Sequence, residues 1–394
     1  MKICYVNCST AGSTGSLVMK LSMQSQKKPS FIVGDKTNHL KGETLYISFT
    51  KSRYIFHRIG TFLFGNDGLI KGLISIRIRH FLKKNKPDLI HIHNVHRSFT
   101  NVEAILEYAF KSGTKVVWTL HDEWILTGRC ASFQNCEKWK NGCGNCKNKE
   151  FYPKSLFDCS KKYWKKKHLL INKYSSIITF VSPSQWLMNL VHSEYPNIPI
   201  YLIRNGVDQS IFKPSPKLND LLQLSFNKTI IGCVMNNLSK EKGFDDLLKI
   251  SKLLDEKKYC IFVLGSQFKD EITKINNSLF AIRKNNSKEY ISSFYSTINF
   301  FLDLTKGDNY PTTHLECLSC GTPILTYNVG GAGEMIIEGN NGFVVKKDDI
   351  NECIEYIQKM SDVSFVKENI IKAANCHDIK ICIEQYNSLY NKLI

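Results

Sequence analysis

Asp308-Asn-Tyr-Pro-Thr-Thr-His-Leu-Glu316 runs directly into Cys-Leu-Ser-Cys-Gly-Thr-Pro-Ile-Leu-Thr-Tyr-Asn-Val-Gly-Gly331. Two acids stand seven residues apart, the first in a loop and the second on the helix that begins near Pro311. Such a helix offers its amide dipole to a bound anion, and Glu316, about a turn further on, faces the same pocket. Carboxylates accept hydrogen bonds from sugar hydroxyls, so the pair suits a polyhydroxylated ligand. The strand Pro323–Thr326 follows, and the Gly330-Gly331 turn allows close backbone approach. A loop, a helix and an apolar strand in this order form the repeating unit of a parallel α/β sheet.

Working outward, the same alternation fills the chain. Apolar runs predict strands at Ile3–Asn7, Phe31–Gly34, Leu89–His93, Val116–Leu120, Ile177–Val181 and Ile200–Ile203 in the first half. In the second half they fall at Ile230–Met235, Cys260–Leu264, Leu279–Ile282, Phe300–Leu302, Pro323–Thr326 and Gly342–Val345. Amphipathic stretches such as Phe244–Leu254 and Ile350–Met360 separate them. Pro-Ser-Pro-Lys-Leu-Asn at 214–219 has linker composition. The expected architecture is two Rossmann-like, doubly wound parallel sheets facing a central cleft. The expected domains are 1–213, with a Cys-rich insertion at 130–146, then 214–375, and a C-terminal helix at 376–394 that crosses back to the first domain.

A chain of 394 residues with 43% apolar content fits two globular cores and argues against disorder. The opening apolar run is too short for a signal-peptide core, and no later stretch is apolar enough to span a bilayer. The expectation is a cytoplasmic protein, peripheral on the inner face of a membrane. Fourteen cysteines in such a chain read as free thiols or metal ligands rather than disulfides. The formal charge of +18 calls for an anionic partner: nucleic acid, lipid headgroups or phosphorylated substrate.

Several motifs carry candidate chemistry. Gly12-Ser-Thr-Gly15-Ser16 follows the first strand and opens a helix, where backbone N–H groups can hold a phosphate; it lacks the P-loop lysine. Pro87-Asp-Leu-Ile-His-Ile-His-Asn-Val-His96 ends a strand at the ligand-facing edge, so His93, Asn94 and His96 become lining candidates, with His91 a core residue. Trp118-Thr-Leu-His-Asp-Glu-Trp124 puts His121 at the next strand end beside two acids. Lys240-Glu-Lys-Gly-Phe-Asp-Asp-Leu-Leu248 follows a strand and opens a helix, with a lysine able to reach a diphosphate. Cys130, Cys136, Cys143 and Cys146 supply four thiolates, the set a structural zinc takes, with packed reduced thiols as the alternative. Two basic tracts complete the inventory. Between Lys51 and Lys86 nine Lys or Arg residues face one acid, Asp67, and alternate with apolar residues at helical spacing. Lys161-Lys-Tyr-Trp-Lys-Lys-Lys167 is the second tract. Amphipathic basic helices of this kind lie on anionic lipid, or simply present a solvated face.

Taken together these segments resemble the family 4 retaining glycosyltransferases of the GT-B fold, in the branch that builds bacterial surface polysaccharides such as colanic acid, O-antigen and capsule. Val181-Ser-Pro-Ser-Gln-Trp-Leu and Arg204-Asn-Gly-Val-Asp208 … Phe212-Lys-Pro214 resemble the late first domain and hinge of that family, and the Asp308-to-Glu316 segment its Glu-x7-Glu signature. The resemblance implies a nucleotide-sugar donor, UDP- or GDP-linked, and a lipid-linked oligosaccharide acceptor. It implies catalytic roles for His121, Asp308 and Glu316, and donor contacts from Gly12, Gly15, Lys242, Asn309, Thr312, Thr313, Glu316, Gly330 and Gly331. Acceptor contacts fall to His93, Asn94 and His96. No catalytic cofactor is implied. No Asp-x-Asp pair occurs in the chain, which agrees with metal-independent transfer. Two departures stand out: Asp308 replaces the first Glu of the signature, and Asn236 or Asn237 replaces the arginine before the Lys-Gly pair.

Two other readings compete. A sugar-nucleotide epimerase is also built on two such domains but has no use for a basic amphipathic tract. A zinc-containing nucleic-acid-binding protein would use the charge and the cysteines, yet no recognition-helix or RNA-binding signature accompanies them.

Overall fold

A computed structural model describes residues 1–25, 27–34, 40–47, 55–235, 238–283, 285 and 287–394. Asn236, Asn237, Lys51 and Arg53 therefore lie outside the described residues. The chain divides into two compact units, Met1–Arg204 with Ile383–Ile394, and Asn205–Cys382. The division falls ahead of the proline-rich stretch at 214–219, which lies within the second unit. The last helix, Ile379–Leu393, begins in the second unit and contributes its residues from Ile383 onward to the first.

The first unit holds β1 (Ile3–Asn7), β2 (Ser30–Val33), β3 (Glu43–Tyr46), β4 (Leu89–Ile92), β5 (Lys115–Thr119), β6 (Ile178–Ser182) and β7 (Ile200–Leu202). They pair in parallel in the order β3-β2-β1-β4-β5-β6-β7. The central strands are buried on both faces, as helix-covered parallel strands must be, and so read as unbroken apolar runs. The order reverses between β1 and β4, and ligands of open α/β sheets bind beyond the carboxyl ends of strands at such a point.

The second unit repeats the plan. β8 (Thr229–Val234), β9 (Tyr259–Gly265), β10 (Ile272–Lys274), β11 (Leu279–Arg283), β12 (Phe300–Asp303), β13 (Ile324–Tyr327) and β14 (Gly342–Val345) pair in the order β10-β11-β9-β8-β12-β13-β14. Only the edge strand β10 runs antiparallel, against β11. Here the order reverses between β8 and β12. Each sheet thus carries an edge strand, β3 or β10, beyond the sequence expectation. Both are short and only partly buried, so backbone pairing rather than a continuous apolar run defines them.

Candidate active site

In the second unit the polar groups gather where β8 and β12 end. Asp303 closes β12 and accepts hydrogen bonds from the Thr305 N–H (3.0 Å), the Thr305 hydroxyl (2.5 Å) and His314 Nε2 (2.8 Å). Burial alone would raise this carboxyl, but the His314 contact, with Lys242 adding, holds it well below the usual range. His314 is fully buried on the helix Thr312–Ser319. Neither residue was singled out from sequence, although His314 sits inside the quoted segment and Asp303 at a strand end.

Lys242 closes a single helical turn, Lys240–Lys242, and its own N–H donates to the capping Ser239 hydroxyl at 3.3 Å. Gly243 follows at φ +77°, and a Cβ there would meet the Leu304 carbonyl oxygen at 2.1 Å. That close approach brings the turn beside the β12 end. Lys242 Nζ lies 3.6 Å from Asp308 Oδ2. Burial disfavours the ammonium, but Asp308 and then Asp303 outweigh it and raise its pKa. Asp308 is itself raised, by burial first, against the pull of Lys242. Its backbone carbonyl accepts the Gly331 N–H at 3.2 Å, tying the loop to the Gly330-Gly331 turn.

Pro311 caps the following helix without a side-chain hydrogen bond, leaving first-turn amides beside the half-buried Thr312 and Thr313. Asn309 is buried in the same loop. Glu316, half-buried one turn on, accepts the Tyr295 hydroxyl at 3.2 Å. The structure therefore joins Asp308 to Lys242 through its side chain and to Gly331 through its backbone, and gives Glu316 a separate partner in Tyr295.

The first unit gathers its polar groups at the ends of β4 and β5. His93 Nδ1 and His121 Nε2 are 2.9 Å apart with near-parallel rings, so one nitrogen donates and the other accepts. His91 packs on His93 with centroids 4.0 Å apart and is held by Thr119 (2.8 Å) and the Tyr390 hydroxyl (2.7 Å). His91 is thus a satisfied core residue, as read from sequence. Burial drives all three imidazoles toward the neutral form, His121 down to about 4. His96 behaves oppositely: burial pulls it down, but Asp122, at 2.8 Å, reverses the sign and raises it. Its other nitrogen meets the Tyr152 hydroxyl at 3.0 Å. The Asn94 N–H donates to the Asn7 side chain at the end of β1 (3.2 Å). His93, Asn94, His96, His121 and Asp122 line one pocket.

Asp67, the lone acid of the basic tract, turns inward. It accepts backbone N–H groups of Gly68 (3.1 Å), Arg97 (2.8 Å) and Ser98 (2.6 Å) and fixes the loop after His96. Gly12 and Gly15 open the helix Gly12–Met23, which lacks a side-chain cap. A Cβ on Gly15 would come 2.3 Å from the Thr10 carbonyl carbon, so only glycine lets the loop fold onto its own helix.

The basic tracts divide. Arg79 pairs with Glu107 (2.9 Å), and Lys166 with Glu103 (3.2 Å). Lys167 is buried, donating to the Trp124 carbonyl and lying 3.9 Å over its ring, so it belongs to the interior and not to a solvated or lipid-facing surface. The helix Ile55–Phe64 and the loop after Tyr152 do present an exposed apolar patch, Ile59, Phe62, Phe64, Leu156 and Phe157. Two backbone bonds join its halves, from Leu156 N–H to Phe62 O and from Phe157 N–H to Leu63 O, both 2.8 Å. No described helix is long and apolar enough to cross a membrane. Cys130, Cys136, Cys143 and Cys146 line one cavity as free thiols; among the described residues no three His, Cys, Asp or Glu side chains converge to hold a metal.

Comparison with known proteins assigns this arrangement. Residues 47–210 match the Glycosyltransferase Family 4 domain, and residues 223–376 the Glycosyl transferases group 1 domain. A protein of Escherichia coli K12 named as a colanic acid biosynthesis glycosyl transferase, WcaC, is 24% identical over 286 residues, 68% of this chain and 66% of that protein. The capsular polysaccharide biosynthesis glycosyltransferase CapM of Staphylococcus aureus is 25% identical over 203 residues, 48% of this chain and 53% of that protein. The chain thus aligns with under two thirds of the length of each. Among solved structures, Anabaena HepE in complex with UDP superposes with TM-score 0.68 at 15% identity, over the whole of both chains. Sucrose-phosphate synthase of Thermosynechococcus elongatus gives 0.70 at 12%, over 100% of this chain and 98% of that one. With a family 4 domain in its first half, a group 1 domain in its second, and two Rossmann-like sheets that match GT-B structures throughout, the chain belongs to the family 4/group 1 glycosyltransferases.

Proposed function

We propose that this enzyme transfers a sugar, with retention of anomeric configuration, from a UDP- or GDP-sugar to a hydroxyl of a lipid-linked oligosaccharide during surface-polysaccharide assembly. The Lys242–Asp308 pair, seated beside the uncapped helix Thr312–Ser319, carries this reading. A nucleotide diphosphate bears more negative charge than one carboxylate, so it competes with Asp308 for Lys242. Together with the first-turn amides of that helix, the lysine stabilises charge growing on the departing phosphate. Glu316 takes the donor ribose, and Tyr295 holds its carboxylate in place. HepE, a structural neighbour, was solved with UDP and with UDP-glucose, which supports a uridine donor here.

In the first unit, His121 and its partner His93 are uncharged, so they supply hydrogen bonds to sugar hydroxyls without opposing positive charge on the reacting sugar. Transfer on one face breaks the bond from the anomeric carbon to phosphate oxygen while the acceptor oxygen bonds to that carbon. The acceptor proton passes to the departing phosphate, and no second catalytic acid is needed. The relatives WcaC and CapM are named for colanic acid and capsule biosynthesis, which supports the polysaccharide acceptor. The patch around Phe62 and Phe157 suits the lipid end of such an acceptor and a peripheral place on a cytoplasmic membrane face.

The test is a donor screen by thermal shift, followed by mass spectrometry and NMR of products on a short polyprenyl-diphosphate oligosaccharide. Glu316→Ala should lower transfer about 10²-fold or more while the melting transition persists, because a buried-site hydrogen-bonding acid is lost. Full activity in that variant, or an inverted linkage in the product, overturns the reading.

A further inference from the structure

The connection from the end of β5 to the helix Ser160–Lys173 is long and contains one short helical turn, Lys138–Asn141. Connections of this length without regular structure need something else to hold them. Its first residues, Trp124, Ile125 and Leu126, join the core, but from Cys130 onward the apolar contribution is small: Trp139 stacks on Phe133 at 5.1 Å, and the buried Arg129 guanidinium braces the loop through the carbonyls of Asn148, Phe151 and Pro153.

The four cysteines of this connection are free and line one cavity. Cys130 and Cys146 are neighbours in this cavity. Cys143 lies in a run of left-handed residues, Gly142 (φ 91°), Cys143 (φ 56°), Gly144 (φ 99°) and Asn145 (φ 48°), which curls the chain so that Cys143 and Cys146 reach the same cavity. Cys143 Sγ also accepts the Gly128 N–H at 3.2 Å, an orientation that supports a thiolate ligand.

A divalent ion bound by four thiolates carries a net charge of −2. The buried Arg129 guanidinium, which lines the same cavity, stands where it offsets part of that charge.

We propose that Cys130, Cys136, Cys143 and Cys146 bind a structural zinc ion that staples this insertion. Because no three of these side chains converge in this structure, the ion draws the thiolates in from the cavity wall. The connection on either side of these cysteines carries Asp122 and Tyr152, the partners of His96, so the staple also fixes the acceptor-side loops.

The experiment uses the full chain, purified with a tag free of histidine and analysed by inductively coupled plasma mass spectrometry. About one zinc per chain should survive gel filtration, and a mercurial thiol reagent should release it as about four thiols react. Cys136→Ser should lower bound zinc about tenfold or more. If that variant fails to fold, the wild-type protein answers: a strong chelator should speed protease cleavage between residues 130 and 150 and lower the melting temperature. Zinc below about a tenth of an equivalent, with melting and cleavage unaffected by chelator, overturns the proposal. So does a Cys130–Cys146 disulfide in the native protein. Metal content is read without donor or acceptor, so its result stands apart from that of the transfer assay.

Discussion

Along and beyond the ends of β4 and β5 the first unit buries His91 and His93 and half-buries His121, and desolvation drives all three toward the neutral state. At the end of β12 the second unit packs Lys242, Asp303, Asp308 and His314, and pairing favours the charged forms of Lys242 and Asp303 while burial raises Asp308. The two clusters sit at the same topological position of near-identical sheets. Strand order therefore fixes where a site forms, while the neighbours of each side chain fix its electrical character. A cluster of neutral imidazoles is suited to hydrogen-bonding sugar hydroxyls. A lysine with an exchangeable carboxylate partner is suited to a diphosphate.

Lys242→Ala is the harshest test of that contrast. Its kcat/KM should fall about 10²- to 10³-fold, the size of loss expected when a charge-stabilising donor is removed from a transition state. The substitution also leaves the half-buried Asp308 without its cation, so the same change in an Asp308→Asn background separates catalysis from that penalty. A loss below about threefold in both backgrounds would move diphosphate recognition elsewhere, against the magnitude expected for such a group.

The next test concerns the neutral cluster. His93→Leu leaves His121 Nε2 without its ring partner, and kcat should drop about 10- to 100-fold with donor KM little changed, as for other residues that orient a ligand-contacting imidazole. His93→Gln, which can still hydrogen-bond, should recover part of the loss. The pH dependence carries a sign. The His121 pKa falls to about 4 from its ordinary 6.5, so between these values the unfolded chain binds a proton that the folded chain refuses. The stability contributed by this group is complete above pH 6.5 and declines as pH falls toward 4. Thermal melts across that window should show the decline, and His121→Leu should reduce its slope, His91 and His93 supplying the remainder. An unchanged slope would mean His121 is protonated in the folded enzyme.

How much of this was legible in the sequence differs between backbone and site. The interior strands read correctly because a strand buried on both faces is a continuous apolar run, as in Ile3–Asn7 and Ile178–Ser182. The edge strands β3 and β10 carry no such run, since pairing with a neighbour defines them. Motif residues at strand ends landed where expected, because the α/β plan dictates which ends face ligand. Partnerships did not. His91 and Tyr390 are separated by 299 positions, and the Asp303–His314 pair closes across a loop with no local pattern to announce it. Lys167 shows the opposite failure. A run of lysines reads as a solvated face, yet a carbonyl and an indole ring can take one ammonium inside.

Asp308→Glu gives the smallest expected effect and tests the one departure from the family signature on described residues. Asp308 Oδ2 stands 3.6 Å from Lys242 Nζ, at the long end of an ion pair, while its backbone is tied to Gly331. A further methylene with the backbone held lets the carboxylate close on the ammonium. The tighter pair stabilises the empty site, and the diphosphate must then displace a better competitor. Donor KM should rise about two- to fivefold with kcat nearly constant, equivalent to a loss of less than about 1 kcal/mol of uniform binding. Steady-state kinetics with varied donor reads this directly. A hundredfold fall in kcat would instead show that the shorter acid touches the reacting sugar, and that its reach was set for that contact rather than for the lysine.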